Sequence, residues 1–490
     1  MIRNYQKELL WLFGIFTCKI VILILVPLTS DEAYFIKWAN HLDFGYYDHP
    51  PMVGWLIYLM SFLSNSHIFF RLFSVVTTFV TAYVIYKTAL LYHVQKDKAI
   101  LASFIFLASP IDVLLVLMTN DVSLLFFSSL GTLFLLYSLE RERLSYAILA
   151  GLFLGAAFLS KYFAVFLMLS LLIFSFYIYG RKSLKNVLIV SFIVSLFIAQ
   201  NLYFNYNNCW NNILFNFFVR TEHNNYSIDF ILRYFLFILY IVTPWGLYYL
   251  YKTNFTKNNL FWLLVSILGV AFFIFLTVSL KNKIGLHWFL IFIPYIFLLF
   301  SFMDEKYLKK LFRYNAMFTA VHIVILIAIL NIPISLLSEH KKYSDIIMHI
   351  QPQAVCKKLE IFNDEKIFTL SYSTASLLRH YCKREIHVLF NNSKYGRMDD
   401  KLIDIRTLNK KEIIIFDKYP INEEQFQSIC SPYEVNSFDL DGATFYTVTC
   451  RDFNYDEYKK RYLEYQNTHF YNIPKWLPVG KCYFKERYFN

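Results

Sequence analysis

Apolar runs of about 20 residues recur along most of this chain, and each is long enough to cross a bilayer as a helix. They fall near 9–29, 68–92, 98–111, 121–139, 145–159, 162–179, 186–204, 230–250, 259–280, 286–302 and 314–335. The pattern predicts a polytopic α-helical membrane protein with about 11 spans. Composition agrees, with 57% hydrophobic residues and a mean hydropathy of +0.43 over 490 residues. The first run, in "MIRNYQKELLWLFGIF", is followed by no small-residue cleavage site, so it is expected to stay as the first span.

Composition changes near residue 340. "EIHVLF", "EIIIFD" and "ATFYTVTC" predict strands, and "YSDIIMHIQ" and "TASLLRHYC" predict helices between them. The expected organisation is a membrane domain over 1–338, with a first extracytosolic loop at 30–67, and a soluble α/β domain over 339–490. Seven cysteines form no C-x-x-C pair, so zinc and thiol-redox motifs are unsupported. Five of them (Cys356, Cys382, Cys430, Cys450, Cys482) lie in the polar C-terminal part. There disulfides are allowed if that part is outside the cytosol, with one thiol left over.

The net charge of +12 is dispersed over short loops, which fits membrane topology and excludes a nucleic-acid partner. Placing the N-terminus in the cytosol puts Lys96 and Lys98, Arg141 and Arg143, Arg181 and Lys182, Lys252 and Lys257, and Lys306 and Lys309 in cytosolic loops. The acidic 30–50 loop and the 112–120 and 205–229 loops then face outward, as does the C-terminal domain. Lys161, Arg220, Lys281 and Lys283 run against this trend, and Arg71 lies at the outer end of a span. Outward cations need an anion: a phosphate, a protein carboxylate, or lipid head groups.

The stretch "DEAYFIKWANHLDFGYYDHPP", residues 31–51, concentrates acids and aromatics in the first loop. Asp31 and Glu32 sit where the first span leaves the membrane. Partial desolvation there raises a carboxyl's pKa and suits it to act as a base. The plainer role is helix capping by Asp31, with Glu32 in the first turn. Tyr34, Trp38 and Leu42 share a stripe that predicts an amphipathic helix on the membrane surface. Asp121 opens the fourth span and Asp112 closes the third, on the same side as Asp31 by parity. Asp31 and Asp121 from two loops can flank one pocket and can hold a divalent cation, or one of them can cap a helix in "TND". "QNLYFNYNNCWNNILFNFFVR" supplies Asn205 and Trp210 for a sugar, or else an interfacial aromatic belt. "KNKIGLHW" brings Lys281, Lys283 and His287 to the start of a span.

These blocks resemble the bacterial PMT-like, GT-C fold glycosyltransferases. That group includes the lipid A aminoarabinose transferases, the rhizobial lipopolysaccharide sugar transferases and, more distantly, the protein O-mannosyltransferases. The similarity runs from the first-loop block through "FFRLFSVV", "SPIDVLLVLMTNDVSLLFF", "LSKYFAVFL", "WNNILFNF" and "KIGLHW", over roughly residues 25–300. It implies an inverting transferase in the bacterial inner membrane. Such an enzyme moves a sugar from a polyprenyl-phosphate donor to an extracytosolic acceptor such as lipopolysaccharide or lipid A. By the same resemblance Asp31 is the first-loop acid, Asp121 matches the acid after the third span, and Lys161 and the block with Lys281, Lys283 and His287 lie near the donor phosphate. The reading of the residues adds Glu32 to the catalytic acids, Arg71 to the phosphate cations, and Tyr47, Asp48, His49, Asn205 and Trp210 as contacts for acceptor or sugar. A divalent cation is allowed and none is required. Where the aminoarabinose transferases tend to carry Glu-Lys-Pro-Pro, this chain has Asp48-His49-Pro50-Pro51. The alternatives are a transporter of lipid-linked sugars and a protein O-glycosyltransferase.

Overall fold

The computed structural model describes residues 5–221 and 226–490. The chain divides into two compact units. The first comprises Met1–Val26, Leu63–Gln200 and His223–Leu330; the second comprises Pro27–Phe62, Asn201–Glu222 and Asn331–Asn490.

The first unit is helical, with apolar residues outward and polar ones inward. On helix Gln6–Leu25, Leu10 and Phe13 are largely exposed while Lys19 is fully buried. Buried Thr77, Thr81, Ser128 and Ser129 follow the same rule. That is the arrangement expected when lipid is the solvent, because polar groups then find partners only inside. Tyr295 donates to Thr132 Oγ1 at 2.6 Å, and Asn186 donates to the Ser138 carbonyl at 2.9 Å. Small residues on helices Asn120–Arg141 and Leu144–Ser160 let neighbouring helices approach closely. A Cβ on Gly131 would lie 2.8 Å from Leu154, and one on Gly155 would lie 2.3 Å from the Phe197 ring.

Six helical stretches among the described residues are long and apolar enough to cross a membrane: Gln6–Leu25, His67–Leu91, Asn120–Arg141, Ala164–Tyr206, Asn259–Ser279 and Glu305–Leu330. They become seven if Ile228–Val242 and Pro244–Tyr251 count as one span. This is a multi-pass membrane protein. Several of the runs read as spans differ in form. The 98–111 run is a 12-residue helix, Lys96–Leu107, then a short one, Pro110–Leu114. The 230–250 run bends by 76° at Thr243 (φ 65°), because Pro244 cannot donate into the preceding turn. The 286–302 run starts as a 3₁₀ segment, Leu286–Phe292.

The second unit is built on a mixed sheet of β1 (Lys366–Thr369), β2 (Ile386–Val388), β3 (Ile413–Asp417), β4 (Tyr433–Leu440) and β5 (Ala443–Cys450), in the order β2-β1-β3-β5-β4. β1 pairs in parallel with β2 and β3, and helix Tyr372–Cys382 makes the crossover from β1 to β2. β5 runs antiparallel to both β3 and β4. Asp441-Gly442, both at positive φ, closes the β4–β5 hairpin. The continuous apolar run of β3 is explained by burial on both faces.

Three disulfides lie in this unit: Cys209–Cys482, Cys356–Cys382 and Cys430–Cys450. The odd thiol expected in the C-terminal part is therefore paired, through Cys209 from the 201–222 segment. Cys18, in the first helix, is the free cysteine.

Candidate functional site

In the second unit the first loop forms helix Ser30–Asn40. Its cap is Thr29, not Asp31. Thr29 Oγ1 accepts from the Glu32 N–H, and Glu32 Oε2 accepts from the Thr29 N–H at 3.2 Å. The signal was the spacing Thr29-Ser-Asp-Glu32, a capping box. Glu32 is turned inward by this bond, while Asp31, its neighbour in the first turn, faces out. The helix does not lie with one face open, as its stripe suggested. Glu32 through Ala39 are all buried, because helix Tyr372–Cys382 and the 399 region cover it.

Tyr372 donates its hydroxyl to Asp31 Oδ1 at 3.2 Å. The surrounding protein desolvates Asp31 and pushes its carboxyl upward; the Tyr372 bond offsets part of this, and Glu32 adds to it. Asp48, from the Gly-Tyr-Tyr-Asp end of the same loop, is buried, and burial pushes its carboxyl up to about 7. The Tyr34 hydroxyl, the Arg220 charge and the Gly396 N–H act in the opposite direction, and the Asp31 charge acts with burial. Gly396 (φ +72°) is needed here, since a Cβ would fall 2.1 Å from the Tyr372 Cβ. The rings of Tyr34 and Tyr372 lie 5.1 Å apart. Two carboxyls and two tyrosines thus share one electrostatic neighbourhood.

Beside them runs a charge network that sequence reading missed. Lys37, fully enclosed, pairs with Asp399, whose carboxylate also meets His387 Nδ1 at 2.9 Å. Burial alone would raise the Asp399 carboxyl, but the Lys37 charge and His387 hold it well below the usual range. Arg379 pairs with Glu385 and contacts His41. No local pattern announces a partner 362 residues away.

Of the other first-loop and 201–222 candidates, Tyr47 is buried against Phe215 and Tyr471. His49 is half-buried, its ring 6.3 Å from Trp38. Asn205 donates to the Asn201 carbonyl at 2.9 Å and accepts from the Ile213 N–H at 3.0 Å. Trp210 donates its indole N–H to the Pro478 carbonyl at 2.7 Å. Asn212 and Asn216 donate to the Tyr46 and Asp48 carbonyls, at 2.7 and 2.8 Å. The asparagine-rich segment therefore fastens the first loop and the C-terminal tail by their backbones.

In the first unit Asp121 and Lys161 form a buried ion pair at 2.7 Å. The cap of Asp121's helix is Thr119, which accepts from the Val122 N–H. Lys19 pairs with Asp112 at 2.9 Å and donates to Thr78 at 2.6 Å. Arg71 is fully buried and donates to the Leu23 and Val26 carbonyls at 2.8 and 2.6 Å, closing the C-terminal end of helix Gln6–Leu25. Lys281, Lys283 and His287 are exposed, with Lys281 4.7 Å over the Tyr226 ring. Lys19 was legible as a charge within an apolar run, a pattern that marks a paired residue.

A cation shared by Asp31 and Asp121 finds little support in these side chains. Lys161 neutralises Asp121, and no three His, Cys, Asp or Glu side chains converge among the described residues. No step below passes through a metal.

The architecture fits a class, the polytopic helical membrane proteins of GT-C type. Solved structures of ArnT from Cupriavidus metallidurans, bound to undecaprenyl phosphate and in the apo state, superpose with a TM-score of 0.62 each. They cover 91% of this chain and 98% of theirs, at 12% and 14% identity, which is a likeness of fold. Residues 48–204 match the family described as dolichyl-phosphate-mannose-protein mannosyltransferase, a segment that begins after Asp31. A lipid A galacturonosyltransferase, RgtD, from Rhizobium johnstonii is 29% identical over 181 residues. That alignment spans 36% of this chain and 38% of the relative, well under half its length. Together these findings show that the chain is similar to PMT/ArnT-type GT-C glycosyltransferases, over part of its sequence and in its fold.

Proposed function

We propose that the protein is an inverting glycosyltransferase that moves a sugar from a polyprenyl-phosphate donor to a hydroxyl of lipid A or a similar envelope glycan. The observation that carries this reading is Asp31: an outward carboxyl, raised by desolvation, held by Tyr372 and coupled to Asp48. Such a group is a stronger base than an ordinary aspartate. In the proposed step the acceptor oxygen attacks the anomeric carbon, and the bond from that carbon to the donor phosphate oxygen breaks. Asp31 takes the hydroxyl proton, and polyprenyl phosphate leaves with the electron pair. Single displacement inverts the anomeric centre. By the resemblance, Lys281, Lys283 and His287 are the cations expected at a donor phosphate; Lys161 is paired with Asp121, and Arg71 holds the end of helix Gln6–Leu25.

The donor class is supported by the undecaprenyl phosphate in an ArnT structure, and the acceptor class by the lipid A activity named for RgtD. The loop-charge pattern supports an inner-membrane protein with a cytosolic N-terminus. Confinement of all three disulfides to the second unit supports an oxidising, extracytosolic setting for it.

Membranes carrying Asp31→Asn, supplied with radiolabelled polyprenyl-phosphate sugar and lipid A, test the reading. Transfer should fall by about a hundredfold or more with the protein still folded. Near wild-type transfer would remove Asp31 from the reaction.

A further inference from the structure

A polar pocket of about 310 Å³ opens at the end of the first unit remote from Asp121 and Lys161. Helix His67–Leu91 measures the separation. Its start packs beside the start of helix Asn120–Arg141, with Phe73 and Phe126 rings 5.0 Å apart, and its end runs into Tyr92 on the pocket wall. Twenty-five helical residues span about 37 Å, the full thickness of a bilayer.

Three helices begin at this pocket. Gln95 and Asn258, the residues before Lys96–Leu107 and Asn259–Ser279, line it, as does Asp304 before Glu305–Leu330. Helix N-termini carry partial positive charge and unpaired N–H groups, and anions bind there. Gln95 makes no side-chain bond to its helix end, while Asn258 Oδ1 accepts from the Phe261 N–H at 3.0 Å. Lys98 and Lys252 add two full charges to the lining, against one carboxylate, Asp304, which has Lys306 at 3.9 Å. An independent sign is Ser301. It lines the pocket, is 1% exposed, and its Oγ has no hydrogen-bond partner among the described residues. A buried hydroxyl left unmatched is costly, and a ligand oxygen in the pocket would match it. Apolar walls would be expected if the cavity served a lipid tail, but its lining is mostly amide, hydroxyl and ammonium.

We infer that this pocket binds a phosphate oxyanion at the membrane-surface end of the first unit opposite the Asp121–Lys161 pair. Tyr248 and Tyr251, exposed beside Lys252, are the rings expected at a head-group boundary, which favours an acidic phospholipid as the source of the phosphate. The inference does not depend on the glycosyl-transfer reading, because it concerns binding at the other end of the unit.

The test is native mass spectrometry of the full-length protein in detergent, titrated separately with phosphatidylglycerol and with inorganic phosphate. Binding of the lipid alone supports a head-group site, and binding of both supports a site for any phosphate. In either case Lys98→Gln/Lys252→Gln should weaken binding by about tenfold or more, and Asp304→Asn should strengthen it. If the double variant does not fold, Lys252→Gln alone, at an exposed side chain, should weaken binding about threefold. Binding of neither probe by the wild type, or unchanged binding by the folded variants, overturns the inference.

Discussion

Tyr372 donates to Asp31 across 341 residues of sequence, so the C-terminal domain supplies a hydrogen bond to the first-loop acid. The hydroxyl stabilises the ionised carboxylate and lowers its pKa. Tyr372→Phe should therefore raise the pKa of Asp31 further. A base works only when ionised, so the acidic limb of the kcat/KM profile for sugar transfer should move to higher pH. A profile that coincides with wild type would show that the bond does not tune the base.

Asp121 and Lys161 neutralise one another inside the first unit. Removing one member leaves a buried charge without its partner, at a cost of roughly 3–5 kcal/mol. Asp121→Asn and Lys161→Met should each lower the melting temperature in detergent. The double variant should recover part of the loss. Additive losses in that double-mutant cycle would show that the two charges are not coupled.

Asp48 gives a pH dependence whose sign is fixed by its raised pKa. Between the ordinary aspartate value of 3.8 and about 7, the folded state holds a proton that the unfolded chain has released. Stability from this group is therefore intact below about pH 4, falls as pH rises, and the full cost is present above about 7. About three units correspond to roughly 4 kcal/mol. Asp48→Asn carries no such cost. Its melting temperature relative to wild type should rise between pH 4 and 8, and a constant difference across that range would contradict the assignment.

Cys209 and Cys482 join the 201–222 segment to the C-terminal tail across 273 residues. Reduction, or Cys209→Ser/Cys482→Ser, should cost roughly 2–5 kcal/mol, read as a lower melting temperature of the second unit. A reductant should have no further effect on that bond in the double serine variant.

The membrane character of this chain, its first-loop acids and the strands of its C-terminal domain were written in local patterns. Apolar runs, alternation and turn residues act over a few neighbours, so a linear reading recovers them. Helix His67–Leu91 and strand Ile413–Asp417 are near where their residues predict. The capping box at Thr29 and Glu32 was equally local. It separates two adjacent acids, one turned inward to the helix end and one left facing out.

Partnership was decided by the tertiary structure. The anion for Lys161 stays open in the sequence, and Asp121 stands 2.7 Å away in the fold; nothing near Lys37 in the chain points to Asp399, which pairs with it. Whether a cation inside a protein meets a ligand or a carboxylate depends on which distant segments fold against it. Charges interact through space, and spacing along the chain carries no record of that distance.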